Sequence, residues 1–111
     1  MKMKIQEKGV VTIVTLEGNI MQEEIAMFRS RLDDLIMNGK IRIVLDMSGV
    51  NYLSSMGLSV LLATKNKLLS QRGDLKIASV NQLIKNLLEM TRLVRKLDVY
   101  ESIDEAAVSY K

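Results

Sequence analysis

The sequence contains no cysteine, histidine, proline or tryptophan, and each of these absences narrows the possible functions. Without cysteine there is no disulfide, no thiolate metal ligand and no cysteine nucleophile. Without histidine the chain lacks the commonest general base and the commonest metal ligand, so a Ser–His–Asp hydrolase is excluded. No carboxylate cluster has metal-ligand spacing, and no glycine-rich phosphate-binding motif is present. We therefore expect no metal and no cofactor, and a binding module in place of an enzyme.

Long hydrophobic runs are also missing. Hydrophobic residues make up 48% of the chain, yet no stretch approaches the ~20 uninterrupted apolar residues of a membrane span. The residues that follow the basic N-terminus alternate in polarity, which is not the pattern of a signal-peptide core. With 111 residues the chain is long enough for one hydrophobic core. We expect a single domain over residues 1–111, cytoplasmic and without membrane insertion.

Charge of one sign does not dominate either. The chain has 16 basic and 13 acidic residues, interspersed, for a net charge of +3. The densest basic cluster, Arg92, Arg95 and Lys96, is flanked by Glu89 and Asp98. One phenylalanine and three tyrosines offer few rings on which bases would stack. The pattern favours a mixed-charge solvated surface, and we expect no direct nucleic-acid partner.

Hydrophobic periodicity predicts an alternation of strands and helices. Period-two and continuous apolar segments predict four to five strands, at residues 3–7, 10–16, 41–45, 75–78 and 99–100. Helical spacing predicts about four helices: residues 22–37, a second with an apolar face of Leu58, Leu61, Leu62, Leu68 and Leu69 that stops at Arg72-Gly73, a third around 83–88, and a C-terminal one from Ile103 to Tyr110 capped by Ser102. This order implies an α/β fold with a mostly parallel sheet and an antiparallel N-terminal strand.

One central segment, from Asp46 to Gly57, reads as a strand end, a short loop and the first turn of a helix. In α/β sheets ligands meet the carboxyl ends of strands, and a helix N-terminus favours an anion. Ser54 and Ser55 therefore stand where a phosphate could be accepted. The purely structural alternative is that Asp46 and Ser48 close a turn, Ser54 caps the helix and Gly57 is small for packing. We favour the structural interpretation for Asp46, Ser48 and Gly57.

The run Asp46-Met47-Ser48-Gly49-Val50-Asn51-Tyr52-Leu53-Ser54-Ser55-Met56-Gly57-Leu58 resembles the signature loop of STAS domains, specifically bacterial anti-sigma factor antagonists. Four other segments resemble the family in the same order, namely Leu16-Glu17-Gly18, residues 71–75, residues 88–97 and residues 101–107. The resemblance thus covers nearly the whole chain and implies a single STAS-like domain.

In that family the antagonist is a switch. The resemblance implies that the unphosphorylated form binds an anti-sigma factor, which is a serine protein kinase, and so releases the sigma factor. Phosphorylation of one loop serine weakens the complex, and a phosphatase restores it. The matching serine is Ser55, with Ser54 as the alternative. The implied partner-binding loop comprises Asp46, Ser48, Tyr52, Ser54, Ser55, Met56 and Gly57.

Two positions depart from the family pattern. Ser54 stands where many antagonists have Asp, and Met21 stands where an acid is common. Both differences remove negative charge near the expected site. Met21, Met56 and Leu58 are apolar residues that either pack in the core or join an interface.

Two other functions are compatible with the sequence. One is a STAS module in a different assembly, such as a signalling scaffold or a lipid-transport ABC complex, without a phospho-switch. The other is a small enzyme in which Ser54 or Ser55 acts with a lysine, a scheme that needs no histidine.

Overall fold

Five strands and four helices alternate along the chain in the predicted order. The computed structural model describes residues 1–110. The strands are β1 (Lys2–Lys8), β2 (Val11–Glu17), β3 (Arg42–Gly49), β4 (Asp74–Ala78) and β5 (Asp98–Tyr100). The helices are α1 (Ile25–Met37), α2 (Ser55–Ser70), α3 (Gln82–Met90) and α4 (Ile103–Val108), with short 3-10 turns at Gln22–Glu24 and Leu93–Arg95.

The strands form one sheet in the order β1-β2-β3-β4-β5. β1 and β2 make an antiparallel hairpin, whereas β2 to β5 are parallel neighbours. The hairpin turns at Gly9, whose φ of +64° lies in the left-handed region that glycine adopts without strain. The predicted α/β fold, with a mostly parallel sheet and an antiparallel first strand, is confirmed.

Helices cover the two faces of the sheet unequally. The main core lies between one face and helices α1, α2 and α3, with Phe28, Leu32 and Leu61 fully buried in it. The other face carries α4 and a smaller core that includes Val44 and Ala106. β3 lies in the middle of the sheet, so its apolar residues Ile43, Val44 and Leu45 are buried on both faces, whereas Arg42 interrupts the predicted apolar run at 41–45 and is half-buried.

Helix α2 departs from the prediction in one residue of its apolar face and in the position of its last residue. Leu69 is 51% exposed, so its assignment to this face is wrong, whereas Leu58, Leu61 and Leu68 of the same predicted face are buried. The helix ends at Ser70, and the N–H of Gly73 donates to the carbonyl of Leu68 at 2.8 Å. Arg72, with φ of 65°, takes the left-handed position of this helix end. None of the helices in the described chain is both long and apolar enough to span a membrane.

Candidate functional site

The connection from β3 to α2 is shorter than the sequence predicts. Residues 46–49 belong to β3, because Asp46 pairs with Ala78 on one side and Gly49 pairs with Glu17 on the other. Between the pairs Thr15–Asp46 and Glu17–Gly49 the register shifts by one residue, with the extra residue on β3, and the pairing continues to Gly49. The connecting loop is therefore residues 50–54, which we call the acceptor loop, and α2 begins at Ser55.

The segment after β2 holds the acceptor loop by its backbone. Ile20 and Leu53 form an isolated parallel bridge, in which the N–H of Ile20 donates to Tyr52 O at 3.0 Å. The N–H of Ser54 in turn donates to Ile20 O at 3.1 Å. Ile20 and Leu53 are both buried, so apolar contacts support the same pairing.

Asn19 reinforces this pairing through its side chain. Its Oδ1 accepts hydrogen bonds from the backbone N–H groups of Asn51 and Tyr52, each at 3.1 Å. Two amides of an irregular loop thereby obtain a partner that no neighbouring strand supplies. Nothing in the sequence marks Asn19 as a site residue, because its partners lie more than 30 positions away.

Asn81 contacts the acceptor loop from the opposite side. Its Nδ2 donates to Val50 O at 2.9 Å and to Asn51 Oδ1 at 2.8 Å. Its Oδ1 accepts from the N–H of Ile84 at 2.9 Å and caps α3. Asparagine before an apolar helix is a capping signal in the sequence, but nothing in the sequence shows the contact with the loop.

The two serines have different surroundings. Ser54 is the N-cap of α2, and its Oγ accepts from the N–H of Gly57 at 3.2 Å. Ser55 is the first helical residue and is exposed. Within the described chain its hydroxyl makes no hydrogen bond, and the N–H groups of Ser55 and Met56 have no acceptor. Ser55 is therefore the freer hydroxyl, at the end of a 16-residue helix whose dipole favours negative charge.

Three of the expected loop residues have structural roles. Asp46 is buried, and its Oδ1 accepts from the N–H of the exposed Ser48 at 3.1 Å. Gly57 is buried against Leu53 and Ile20, so a Cβ at this position would displace the end of the Leu53 side chain. The structural interpretation of Asp46, Ser48 and Gly57 agrees with these contacts.

Exposed apolar side chains surround Ser55. Tyr52 is 51%, Met56 46% and Met21 40% exposed, whereas Leu58 is buried in the core. Beside Met56, a groove of about 550 Å³ follows the outer face of α1. Its lining combines apolar Ile25, Ala26 and Met56 with charged Arg29, Asp33 and Asp34.

The described residues show no arrangement typical of catalysis at this loop. None of their lysine amines hydrogen-bonds to Ser54 or Ser55, and Ser54 uses its hydroxyl to cap the helix. No group of three or more acidic residues in the described chain is placed to hold a metal ion. The site offers a free hydroxyl on the first residue of α2, directly after a well-supported loop, with exposed apolar side chains on the neighbouring segments.

A comparison with known protein families identifies the family to which this fold belongs. The profile of the STAS domain family matches residues 2–106. The chain belongs to the STAS domain family. The match includes every strand of this STAS domain, its acceptor loop, Ser54 and Ser55.

Relatives and solved structures agree with the assignment. The anti-sigma F factor antagonist of Paenibacillus polymyxa is 27% identical over 104 residues, which cover 92% of this chain and 88% of that protein. The crystal structure of a candidate anti-sigma factor antagonist from Thermotoga maritima matches with a TM-score of 0.90 at 23% identity, covering 96% of this chain and 92% of that one. The Bacillus protein SpoIIAA, solved in its phosphorylated form, matches with a TM-score of 0.75 at 12% identity, over 99% and 100% of the two chains. These structures share the STAS fold described above.

Proposed function

We propose that this STAS domain is an anti-sigma factor antagonist whose binding to its anti-sigma factor is switched off by phosphorylation of Ser55. Relatives of similar length carry the name anti-sigma factor antagonist. The observation that carries the proposal is the contrast between the two serines: Ser54 is engaged in the helix cap, whereas Ser55 is exposed with an unengaged hydroxyl. The proposed partner is a serine protein kinase, and a phosphatase reverses the modification.

The position of Ser55 explains how a phosphate can alter binding without altering the fold. A phosphate adds about −1.5 to −2 charges, which the N-terminus of α2 tolerates. The same charge between Tyr52 and Met56 would be buried unpaired when a partner covers these side chains, at a cost of several kcal/mol. Phosphorylated SpoIIAA shows that a protein with this fold carries a phosphate while it remains folded.

The partner surface is proposed to comprise Tyr52, Ser55 and Met56, continued by Met21 and the groove along α1. Asp46 and Gly57 shape this surface from below, since both are buried. The apolar floor and the mixed charges of Arg29, Asp33 and Asp34 suit a protein partner that presents an apolar side chain rimmed by polar groups.

The test uses purified wild-type protein and a Ser55→Asp variant as bait in lysate of the native organism, read by mass spectrometry. We expect wild type to capture a protein kinase of the anti-sigma class and the variant to bind it at least about a hundredfold more weakly. Ser102→Asp is the control, because Ser102 stands at the N-terminus of α4 on the other face of the sheet, where an added carboxylate also meets a helix N-terminus. The free energy of unfolding of Ser55→Asp should stay within about 1 kcal/mol of wild type.

Three results would contradict the proposal. Equal capture of the kinase by wild type and Ser55→Asp would show that the position does not control binding. Phosphorylation of Ser54 with Ser55 unmodified, mapped by mass spectrometry after incubation with the captured kinase and ATP, would move the switch to the neighbouring residue. Capture of transporter subunits or other STAS proteins by both baits would support a module of another assembly.

A further inference from the structure

We infer that Asn81 is a positioning residue for the acceptor loop: its side-chain amide ties the backbone before Ser55 to the first turn of α3. This inference rests on the proposed function, because it concerns how Ser55 and its neighbours are presented to the kinase. Asn81 itself does not contact Ser55; it acts through Val50 and Asn51.

The orientation of the Asn81 carboxamide is fixed by its own contacts. Since Oδ1 accepts from the backbone N–H of Ile84, Nδ2 must face the loop, where Val50 O and Asn51 Oδ1 accept from it. A residue that only capped α3 would need an oxygen alone, which serine, threonine or aspartate supply equally well. The amide nitrogen is the additional feature of asparagine, and here it is used entirely on the acceptor loop.

Asn19 and Asn81 hold the acceptor loop through different side-chain atoms. Asn19 holds the loop only through its oxygen, which accepts from the N–H groups of Asn51 and Tyr52. Asn81 holds the loop only through its nitrogen. An exchange of the amide for a carboxylate therefore preserves the first attachment and removes the second, although both variants add the same charge beside the same loop.

The experiment compares Asn81→Asp with Asn19→Asp by amide hydrogen exchange in NMR spectra. In Asn81→Asp the carboxylate still caps α3 but faces the carbonyl oxygen of Val50 without a donor. We expect the amides of Asn51, Tyr52 and Ser54 to exchange about tenfold faster than in wild type, while the Ile84 amide keeps its protection. In Asn19→Asp the exchange of all four amides should stay near the wild-type rate.

Unchanged loop exchange in Asn81→Asp would overturn the inference. If the Ile84 amide also loses protection, so that α3 itself is disturbed, Asn81→Ser decides by the same criterion, since its hydroxyl caps the helix without reaching the loop. Faster loop exchange in Asn81→Ser supports the inference, and wild-type exchange overturns it.

A second readout separates positioning from a purely structural role. Affinity for the captured kinase should fall about tenfold in Asn81→Asp. It should be unchanged in Ser102→Asp, which places the same carboxylate at the cap of α4 on the other face of the sheet. Wild-type affinity in Asn81→Asp despite a freed loop would overturn the positioning role. Failure of the wild type to bind any anti-sigma factor would contradict the proposed function, whereas the exchange experiment needs no partner.

Discussion

Helix α2 connects two ends of the sheet that are built in different ways. At its N-terminus the acceptor loop is held by the neutral side chains of Asn19 and Asn81, and Ser55 is exposed. In the C-terminal half of α2, Lys65 is buried, with only 9% of its side chain exposed. Its Nζ donates to Asp74 Oδ1 at 2.6 Å, Leu75 O at 3.0 Å and Asp98 Oδ2 at 3.0 Å.

The difference separates the part of the molecule that stabilises the fold from the part that is open to modification. Lys65 joins the first residues of β4 and β5, and the hydroxyl of Tyr110 donates between the carbonyl oxygens of Ile43 and Asp74, 2.7 Å from each. Among the described residues, no ion pair involves the acceptor loop or the first turn of α2. A charge added at Ser55 therefore breaks no native ion pair, and under the proposed function its effect falls on the partner.

The largest expected difference between the two ends comes from the same substitution, glycine to alanine, at Gly73 and Gly57. A Cβ at position 73 would overlap the carbonyl oxygen of Ile41 and lie 2.7 Å from its Cβ, so backbone must move. We expect Gly73→Ala to lower the free energy of unfolding by about 3 kcal/mol in urea titrations. Gly57→Ala displaces only the end of a leucine side chain and gains helix propensity, so the loss should be about 1 kcal/mol or less.

Binding should show the reverse order. Gly57→Ala moves Leu53 of the acceptor loop, which pairs with Ile20 of the segment after β2. The variant should therefore weaken kinase binding. Gly73→Ala should bind like wild type per folded molecule. If Gly57→Ala were the more destabilising of the two, the division of roles along α2 would be wrong.

Alkaline pH tests the contribution of Lys65 and Tyr110 at the charged end of the molecule. Burial works to lower the pKa of Lys65, but the hydrogen-bonded carboxylates of Asp74 and Asp98 outweigh it and raise the pKa overall. Burial, and next the nearby Asp74, raise the pKa of Tyr110. Both groups hold their protons more tightly in the folded state, so their contribution is complete below about pH 10 and is lost as pH rises further.

We therefore expect the free energy of unfolding to be level from pH 7 to 9 and to fall by about 1 to 2 kcal/mol between pH 10 and 11. Tyr110→Phe should flatten part of this fall in urea titrations repeated at each pH. Tyr52→Phe is the control, because Tyr52 is half exposed at the other end of the molecule. An equally steep fall in Tyr110→Phe would show that its hydroxyl does not contribute.

The elements of the fold could be predicted from the sequence because hydrophobic periodicity and capping residues are local signals. Ser102 was predicted as a helix cap and capping was the structural alternative for Ser54, and both accept from the N–H three residues on. The predicted end of β3 was wrong, because its extension to Gly49 depends on a one-residue register shift against β2 that the local pattern does not show. The assignment of Leu69 to the buried face was wrong because Leu68 continues the face of Leu58 and Leu61, whereas Leu69 lies one residue further around the helix and is exposed.

The candidate site was predicted in part. Resemblance to the family identified the acceptor loop and its serines, but not the side chains that hold it, since Asn19 and Asn81 reach the loop only in the folded chain. The burial of Lys65 has a signal in the sequence, because Lys65 falls on the same helical face as Leu58, Leu61 and Leu68. A lysine in an apolar stripe needs a partner for its buried charge, and the carboxylates of Asp74 and Asp98 provide it.

The smallest expected effect tests how far the neutral end contributes to stability. Ser54→Ala removes the hydrogen bond to the N–H of Gly57 and should cost about 0.5 to 1 kcal/mol. Ser102→Ala removes the equivalent cap of α4 and should cost a similar amount, although it lies far from the acceptor loop. Urea titrations of the two variants give the comparison. If the cost at Ser54 exceeded that at Ser102 by 2 kcal/mol or more, the acceptor loop would itself stabilise the fold. Its lack of charged side chains would then no longer account for the proposed tolerance of a phosphate at Ser55. Phosphorylation that persists in Ser54→Ala and disappears in Ser55→Ala would distinguish the capping serine from the phosphate acceptor.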